Sequence, residues 1–320
     1  MMVNLTYSWP SAFVLQGIPG LEAYHRWFSV LVCISYVIII TGNCIILLVI
    51  VSEPALHRPM FYLLCMLSTI DLAASTSALP KMLCIFCLQA GEIQVDSCLI
   101  QMFFIHALCM MASAVLLAMA LDRYVAICFP LRYTSFFTGS LAAKMGVASV
   151  VRGTLLMSPC PFLMKRLSFC RTNVIQHTYC EHMAVVKLAC GDTSINRAYG
   201  LSVALIVIGG DFLCIGLSYF FIVRAVLRLS SIEARFKAFG TCASHLCVIF
   251  ISYTPALFSF FTHRFGHNVT PHIHILLANL YLLFPPMLNP IVYGVRTKEI
   301  REQIIRIFLP SRNMVKSRSV

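Results

Sequence analysis

Seven apolar runs, each long enough to cross a bilayer, constrain this chain more than any other feature. They lie at about 27–51, 60–82, 98–121, 141–163, 199–223, 238–261 and 271–295. A hydrocarbon core needs roughly 20 residues of helix to span it, and it accepts only backbones whose hydrogen bonds close within the segment. An all-α membrane bundle is therefore the expected fold. Composition agrees: 59% of residues are hydrophobic and 11% are charged, whereas soluble domains carry about 25% charge. The connections are short apart from the stretch between the fourth and fifth runs, so no soluble domain fits between them. The chain divides into an amino tail at 1–26, one bundle at 27–295 and a carboxy-terminal segment at 296–320. No internal repeat of the kind that builds inverted-repeat transporters is visible.

The formal net charge of +12 invites a nucleic-acid reading, but the distribution of charge argues for a membrane. Most of the basic residues, among them Arg58, Arg123, Arg132, Arg224, Arg228, Lys298 and Arg301, fall in the tail and loops of one side. That bias follows the positive-inside rule and places the amino terminus outside. Two glycosylation sequons, at Asn4 and Asn268, fall on the outer side under this topology, and Asn4 has the room to be used. The first 26 residues lack the apolar core and small-residue cleavage site of a signal peptide, so the first run is expected to serve as an uncleaved anchor.

Of the 15 cysteines, most sit within the runs, where a thiol packs as a small apolar group. Cys98, Cys170, Cys180 and Cys190 lie on the outer side, where disulfides persist. Four such cysteines allow three pairings, and spacing does not choose among them. Cys180 stands in the sequence HTYCEH, whose His177, Glu181 and His182 have spacings a metal could use. If Cys180 is oxidised the donor set shrinks, and ordinary loop residues beside a disulfide are the favoured reading. No metal is expected.

Ionisable groups inside a bilayer are costly and face the bundle interior or a wet cavity. Asp71 in the second run, Asn43 in the first and Asn289 in the seventh fall at similar depth, which suggests a polar cluster bridging three helices. Asn289 precedes Pro290, whose missing N–H frees a carbonyl nearby. Arg152 and Asp211 are each near mid-membrane and each needs a partner or water; the sequence does not say that they meet. His106 and His245 could be ordinary buried histidines. Asp122, Arg123 and Tyr124 close the third run, where an arginine beside an aspartate can exchange partners between two states.

The motifs LHRPMFYLLCMLSTIDL, MALDRYVAICFPLRY, SYFFIVRAVLRL, KAFGTCASHL and PMLNPIVYG occur in order between Leu56 and Gly294. With them the chain resembles a rhodopsin-like G-protein-coupled receptor, and specifically an olfactory receptor. HRFG after the sixth run, IHAL in the third and the position of Asp211 resemble the class I, fish-like branch, family 52. The resemblance implies a seven-helix bundle with a short amphipathic eighth helix, in which Ile300, Ile304 and Phe308 share a face opposite Lys298, Arg301 and Arg306. It implies disulfides Cys98–Cys180 and Cys170–Cys190, a plasma-membrane location, no cofactor, and three partners: a small-molecule odorant, a heterotrimeric G protein and membrane lipid.

Further implications concern individual residues. Arg264 matches an acid-anchoring arginine, His106 a pocket histidine, and Ser259 and Phe260 adjoin the anchor. Lys237 and Tyr253 join Asp122, Arg123 and Tyr124 as switch and coupling positions, Tyr253 standing where receptors at large carry tryptophan. Ala112 departs from the olfactory pattern, which has a glutamate there, and this makes cation binding beside Asp71 doubtful. The implied ligands are aliphatic carboxylic acids or related oxygenated volatiles, with signalling to cyclic AMP. A same-fold receptor for a non-odorant metabolite is the alternative. A channel would want polar stripes along several runs, and an enzyme would want paired carboxylates or a nucleophile with its base; the sequence offers neither.

Overall fold

The computed structural model describes residues 10–169, 172–265 and 270–308; the side chains of residues 241, 259–265 and 308 lie outside that description. In chain order the elements are β1 (Ala12–Leu15), α1 (His25–Ser52), α2 (Pro59–Leu88), β2 (Glu92–Gln94), α3 (Val95–Cys128), α4 (Tyr133–Phe136), α5 (Gly139–Met157), α6 (Pro159–Lys165), β3 (Val174–Ile175), α7 (His182–Val186), α8 (Ser194–Ala204), α9 (Gly210–Leu227), α10 (Ile232–Phe265), α11 (Pro271–Arg296) and α12 (Lys298–Phe308). The α1, α2, α3, α5–α6, α8–α9 and α11 segments are long and apolar enough to span a bilayer, and α10, bent by 45° between Gly240 and Cys242, completes a seven-helix bundle. The short α12 follows as the amphipathic eighth helix, with Ile300 fully buried and Lys298 exposed.

The helices outrun the apolar stretches in the sequence. Hydropathy falls at the first charges, but the i→i−4 ladder continues through them, so α3 carries on past residue 121 to Cys128 and α10 begins at Ile232 instead of 238. Local chemistry sets the ends. Pro59 stands in the first turn of α2, where its missing N–H costs nothing, and Arg58 before it is extended. Thr138 caps α5 by accepting from the Leu141 amide at 3.2 Å. Gln89 closes α2 in the left-handed conformation, φ 54°.

Within the amino tail at 1–26, the described residues from 10 onward pack on the bundle. The tail's β1 strand pairs antiparallel with β2 and parallel with β3, in the order β2-β1-β3. Phe13, Leu15 and Ile18 are buried at that end of the bundle, and the Asn173 amide donates to the Ala12 carbonyl at 3.0 Å. Gly91 is obligatory here, because a Cβ would fall 2.2 Å from the Leu15 carbonyl oxygen. Three apolar side chains in one short polar-flanked stretch carry the burial that ties the strand down.

One contact between α1 and α11 shows how sequence becomes packing. Pro290 has no N–H, so the Pro286 carbonyl four residues back loses its helical donor. The Asn43 amide fills the vacancy from α1 at 3.0 Å and also donates to Ile39 O at 3.0 Å. Gly42 permits the approach: a Cβ there would lie 2.8 Å from Pro290 Cγ. Gly42→Val is expected to push the helices apart and cost about 1–3 kcal/mol, seen as a lower thermal midpoint of the detergent-solubilised chain. An unchanged midpoint would mean that α1 and α11 do not cross so closely.

Candidate functional site: the cavity and the polar networks beneath it

A cavity of about 320 Å³ opens inside the bundle toward the end that carries the cap sheet. Its wall is mainly apolar, with a few polar groups from α3, the loop before α8, α10 and α11; small-molecule sites generally have this composition. The disulfide between Cys98 and Cys180 ties that loop to the first turn of α3. Hydrogen bonds fasten it further. The Cys180 amide donates to Gln101 Oε1 at 3.0 Å, Gln101 in turn donates to the Ser77 carbonyl at 3.0 Å, and Thr178 donates to Asn279 Oδ1 at 2.5 Å. Cys190 is also disulfide-bonded, while Cys170, assigned as its partner, lies outside the described residues.

His106 lines the cavity, and its Nε2 is buried with no hydrogen-bond partner among the described residues. Glu181 and His182 line it too. Glu181 Oε2 accepts from the Ala184 amide at 2.6 Å and so caps α7, and burial holds the His182 imidazole below its usual range. With Cys180 oxidised and Glu181 capping a helix, HTYCEH is occupied by structural work. Among the described residues, no group of three His, Cys, Asp or Glu side chains is placed to hold a metal. The backbone of Ser259, Phe260 and Arg264 forms the last turns of α10, and their side chains lie outside the described residues, as does Asn4.

Behind a stretch of cavity wall that includes Ser113 and Tyr253, the two charges that the sequence left unpaired come together. Arg152 Nη1 and Nη2 each donate to the Asp211 carboxylate at 2.7 Å, a bidentate pair between α5 and α9. Nη2 also reaches the Met110 carbonyl on α3 at 3.1 Å. Ser113 donates to Asp211 Oδ2 at 2.6 Å and shares a 2.7 Å hydrogen bond with the Tyr253 hydroxyl of α10. Four helices thus meet through one part-buried charge pair and two hydroxyls. Two features of the backbone make this possible. A π-helical turn at Leu205–Gly209 widens the helix just before Asp211, as such turns do at functional sites. Gly153 lets α5 close on α3, since a Cβ would sit 2.8 Å from the Ala107 carbonyl. Sequence reasoning missed Ser113 and Gln101, small polar residues that carry no motif. The signal for the charge pair was there: two opposite charges at one depth, neither supportable alone.

Asp71 and Asn289 form a direct pair, with Asn289 Nδ2 donating to Asp71 Oδ2 at 2.8 Å. Asn43 contributes through the Pro286 carbonyl. At the end of the bundle away from the disulfide, Arg123 lies 3.2 Å from the fully buried Asp122. Tyr133 of α4 donates to the other oxygen of Asp122 at 2.7 Å; burial first, then Asp122, keeps that phenol protonated. Tyr219 and His245 share a 2.8 Å hydrogen bond between α9 and α10. The Tyr124 ring sits 6.0 Å from that of Phe221, and Lys237 is exposed. Arg123 is therefore held by its neighbour, in an arrangement where α3, α4, α9 and α10 all face one region.

A ligand-sized cavity toward one end of a seven-helix bundle, an Asp122–Arg123 pair at the other and polar contacts between the helices define the receptor class of membrane bundle. Squid rhodopsin, known from its crystal structure, superposes with a TM-score of 0.75 over 95% of this chain and 92% of its own, at 18% identity, which places the fold. The family model described as olfactory receptor matches residues 32–311. Human olfactory receptor 52P1 is 65% identical over 305 residues, 95% of each chain, and human olfactory receptor 52K2 is 55% identical over 311 residues, 97% of this chain and 99% of its own. The chain belongs to the olfactory receptor family of G-protein-coupled receptors, multi-pass proteins of the plasma membrane that take a small-molecule ligand and a G protein as partners.

Proposed function

We propose that this receptor is activated by aliphatic carboxylic acids of medium chain length, or related oxygenated volatiles, and signals through the stimulatory olfactory G protein to cyclic AMP. The observation that carries the reading is the cavity: a largely apolar chamber lined by His106, with Lys187 and Arg197 in its wall. An alkyl chain suits the apolar surface. A carboxylate suits a cationic rim, where a guanidinium holds it by two charge-assisted hydrogen bonds. Arg264, near the end of α10, is assigned that anchoring role, with Ser259 and Phe260 beside it.

The amino terminus is assigned to the outside, with a glycan at Asn4, and α12 to the lipid of the inner leaflet, because basic residues gather at the Arg123 end. Ligand held at Arg264 draws the outer end of α10 inward. The Ser113–Tyr253 hydrogen bond conveys that movement to α3 and to the Arg152–Asp211 pair. The inner end of α10, from Lys237 to the bend after Gly240, swings outward, and Arg123 leaves Asp122 to meet the G protein with Tyr124. A ligand shifts the balance only by its differential affinity for the two arrangements.

The test is cyclic AMP in cells displaying the full chain with the olfactory G protein, challenged with straight-chain acids of increasing length. Arg264→Ala should raise the half-maximal concentration by roughly 30-fold, the loss of about 2 kcal/mol from a charged hydrogen-bonded contact. Silence to every acid from a surface-displayed receptor would remove the carboxylate assignment.

A further inference from the structure

A second hollow lies on the outer surface of the bundle, where the first turns of α3 meet α6 at the disulfide end. It encloses about 400 Å³. Leu99, 3% exposed, forms its floor, and Pro161 stands on the α6 side. Ile100 and Phe104 are 57% and 48% exposed. The rings of Phe103 and Phe104 meet at 78° with centroids 5.5 Å apart, so they form two sides of a corner. At one end of the hollow Lys165 Nζ lies 2.9 Å from Asp96 Oδ1. Each charge suits its own helix, the aspartate in the first turn of α3 and the lysine in the last turn of α6, where the helix dipole favours it. Both side chains are more than half exposed, and such a pair contributes little by itself. From Asp96 to Phe104 the groove runs about 12 Å along α3, at 1.5 Å per residue.

We propose that this groove binds a membrane sterol, whose hydroxyl bridges Asp96 and Lys165 and whose fused rings lie in the corner of Phe103 and Phe104. The occupant is a lipid because α3 and α5–α6 are spans and the bilayer covers this face. Charge narrows the choice. The lining side chains offer one polar point, at the interfacial end, and are apolar below it. A molecule with a single hydroxyl at one end of an apolar body matches that pattern. The hydroxyl donates to the Asp96 carboxylate and accepts from the Lys165 ammonium without separating them. A phosphocholine headgroup has no hydrogen to donate and has to part the pair. Stiffness narrows the choice again: an acyl chain gives up rotamer freedom to lie in a fixed corner, and fused rings have none to lose. Plasma membranes, where this family resides, are rich in sterol.

The test uses the purified full chain in phosphatidylcholine nanodiscs that carry a photoreactive cholesterol or, in parallel, a photoreactive phosphatidylcholine. In the sterol arm, label should map to residues 95–104 or 159–165. Unlabelled cholesterol should compete for it, and the 3α-hydroxy epimer, equally apolar, should compete roughly tenfold less well, the ratio one hydrogen bond to a charged group confers. Asp96→Ala should lower labelling by about the same factor, and Phe104→Ala by roughly three- to tenfold through the lost ring contact. The exchange Asp96→Lys/Lys165→Asp should keep it, since both signs remain at the mouth. Thermal midpoints show that each variant is folded, and Lys165→Met repeats the test of the pair should Asp96→Ala not be recovered. Sterol label confined to other faces, or equal competition by the epimer, would overturn the proposal. So would a groove labelled by the phosphatidylcholine probe and not by the sterol, or one left unlabelled because two copies of the chain meet over it, seen as a dimer by size.

Discussion

Asp211→Ala is expected to destabilise the receptor by about 3 kcal/mol and to remove most of it from the cell surface. The substitution strands the Arg152 guanidinium, whose Nη1 and Nη2 both lose the Asp211 oxygens and keep only the Met110 carbonyl at 3.1 Å. Breaking one half of a buried pair costs about 3–5 kcal/mol, because the remaining charge is left desolvated. The Asp211 side chain is 5% exposed and that of Arg152 31%, so the lower end of the range applies. Ser113 also loses the acceptor it shares with the Tyr253 contact. The double variant Arg152→Met/Asp211→Leu removes both charges together and should recover most of the stability. It should not recover a full response, because Tyr253 would then be tied to α3 by one hydroxyl with no charged group behind it. Flow cytometry for display, a thermal midpoint and the cyclic AMP curve separate these effects. A single variant as stable as the wild type would show that the pair is solvated in the membrane-embedded protein.

The second large effect concerns the tether between α3 and the loop over the cavity. Cys98 and Cys180 are 82 residues apart, and on the chain-entropy account a cross-link closing a loop of that length is worth about 4–5 kcal/mol. A bundle already threaded through a membrane is less free when unfolded than a soluble chain, so the figure is an upper bound. Cys98→Ser or Cys180→Ser should leave the loop held only by the hydrogen bonds through Gln101 and Asn279 and by its pairing with the segment at β1, letting Glu181 and His182 move off the cavity wall. Little displayed receptor and no ligand response are expected. The double variant should be no worse than either single one, since all three lose the same bond. A double variant much worse than both would show that the two cysteines act independently.

Much of this architecture is legible before any coordinates. Long uncharged runs report their own partition into a bilayer, so the seven spans and α12 are readable one residue at a time, and Asp122-Arg123-Tyr124 and PMLNPIVYG place the helices in a known receptor pattern. The carbonyl freed by Pro290 is also a sequence fact, because proline lacks an N–H wherever it stands. Which donor answers it is not, and neither is the fate of residues 12–15, whose strand forms only because β2 and β3 lie on either side of it.

By itself, then, the sequence determined the class of environment, the helical content and the family, since each depends on local chemistry that a bilayer or a short motif exposes directly. The tertiary structure alone decided that Arg152 meets Asp211 and that Ser113 links them to Tyr253. It also decided that the cavity runs past Ala112 to Asp71. Those outcomes depend on how each helix is rotated about its axis and how closely it crosses its neighbours. The π turn before Asp211 and the glycines at 42 and 153 set those angles and distances, and a reading along the chain sees such residues only as small gaps in an apolar run.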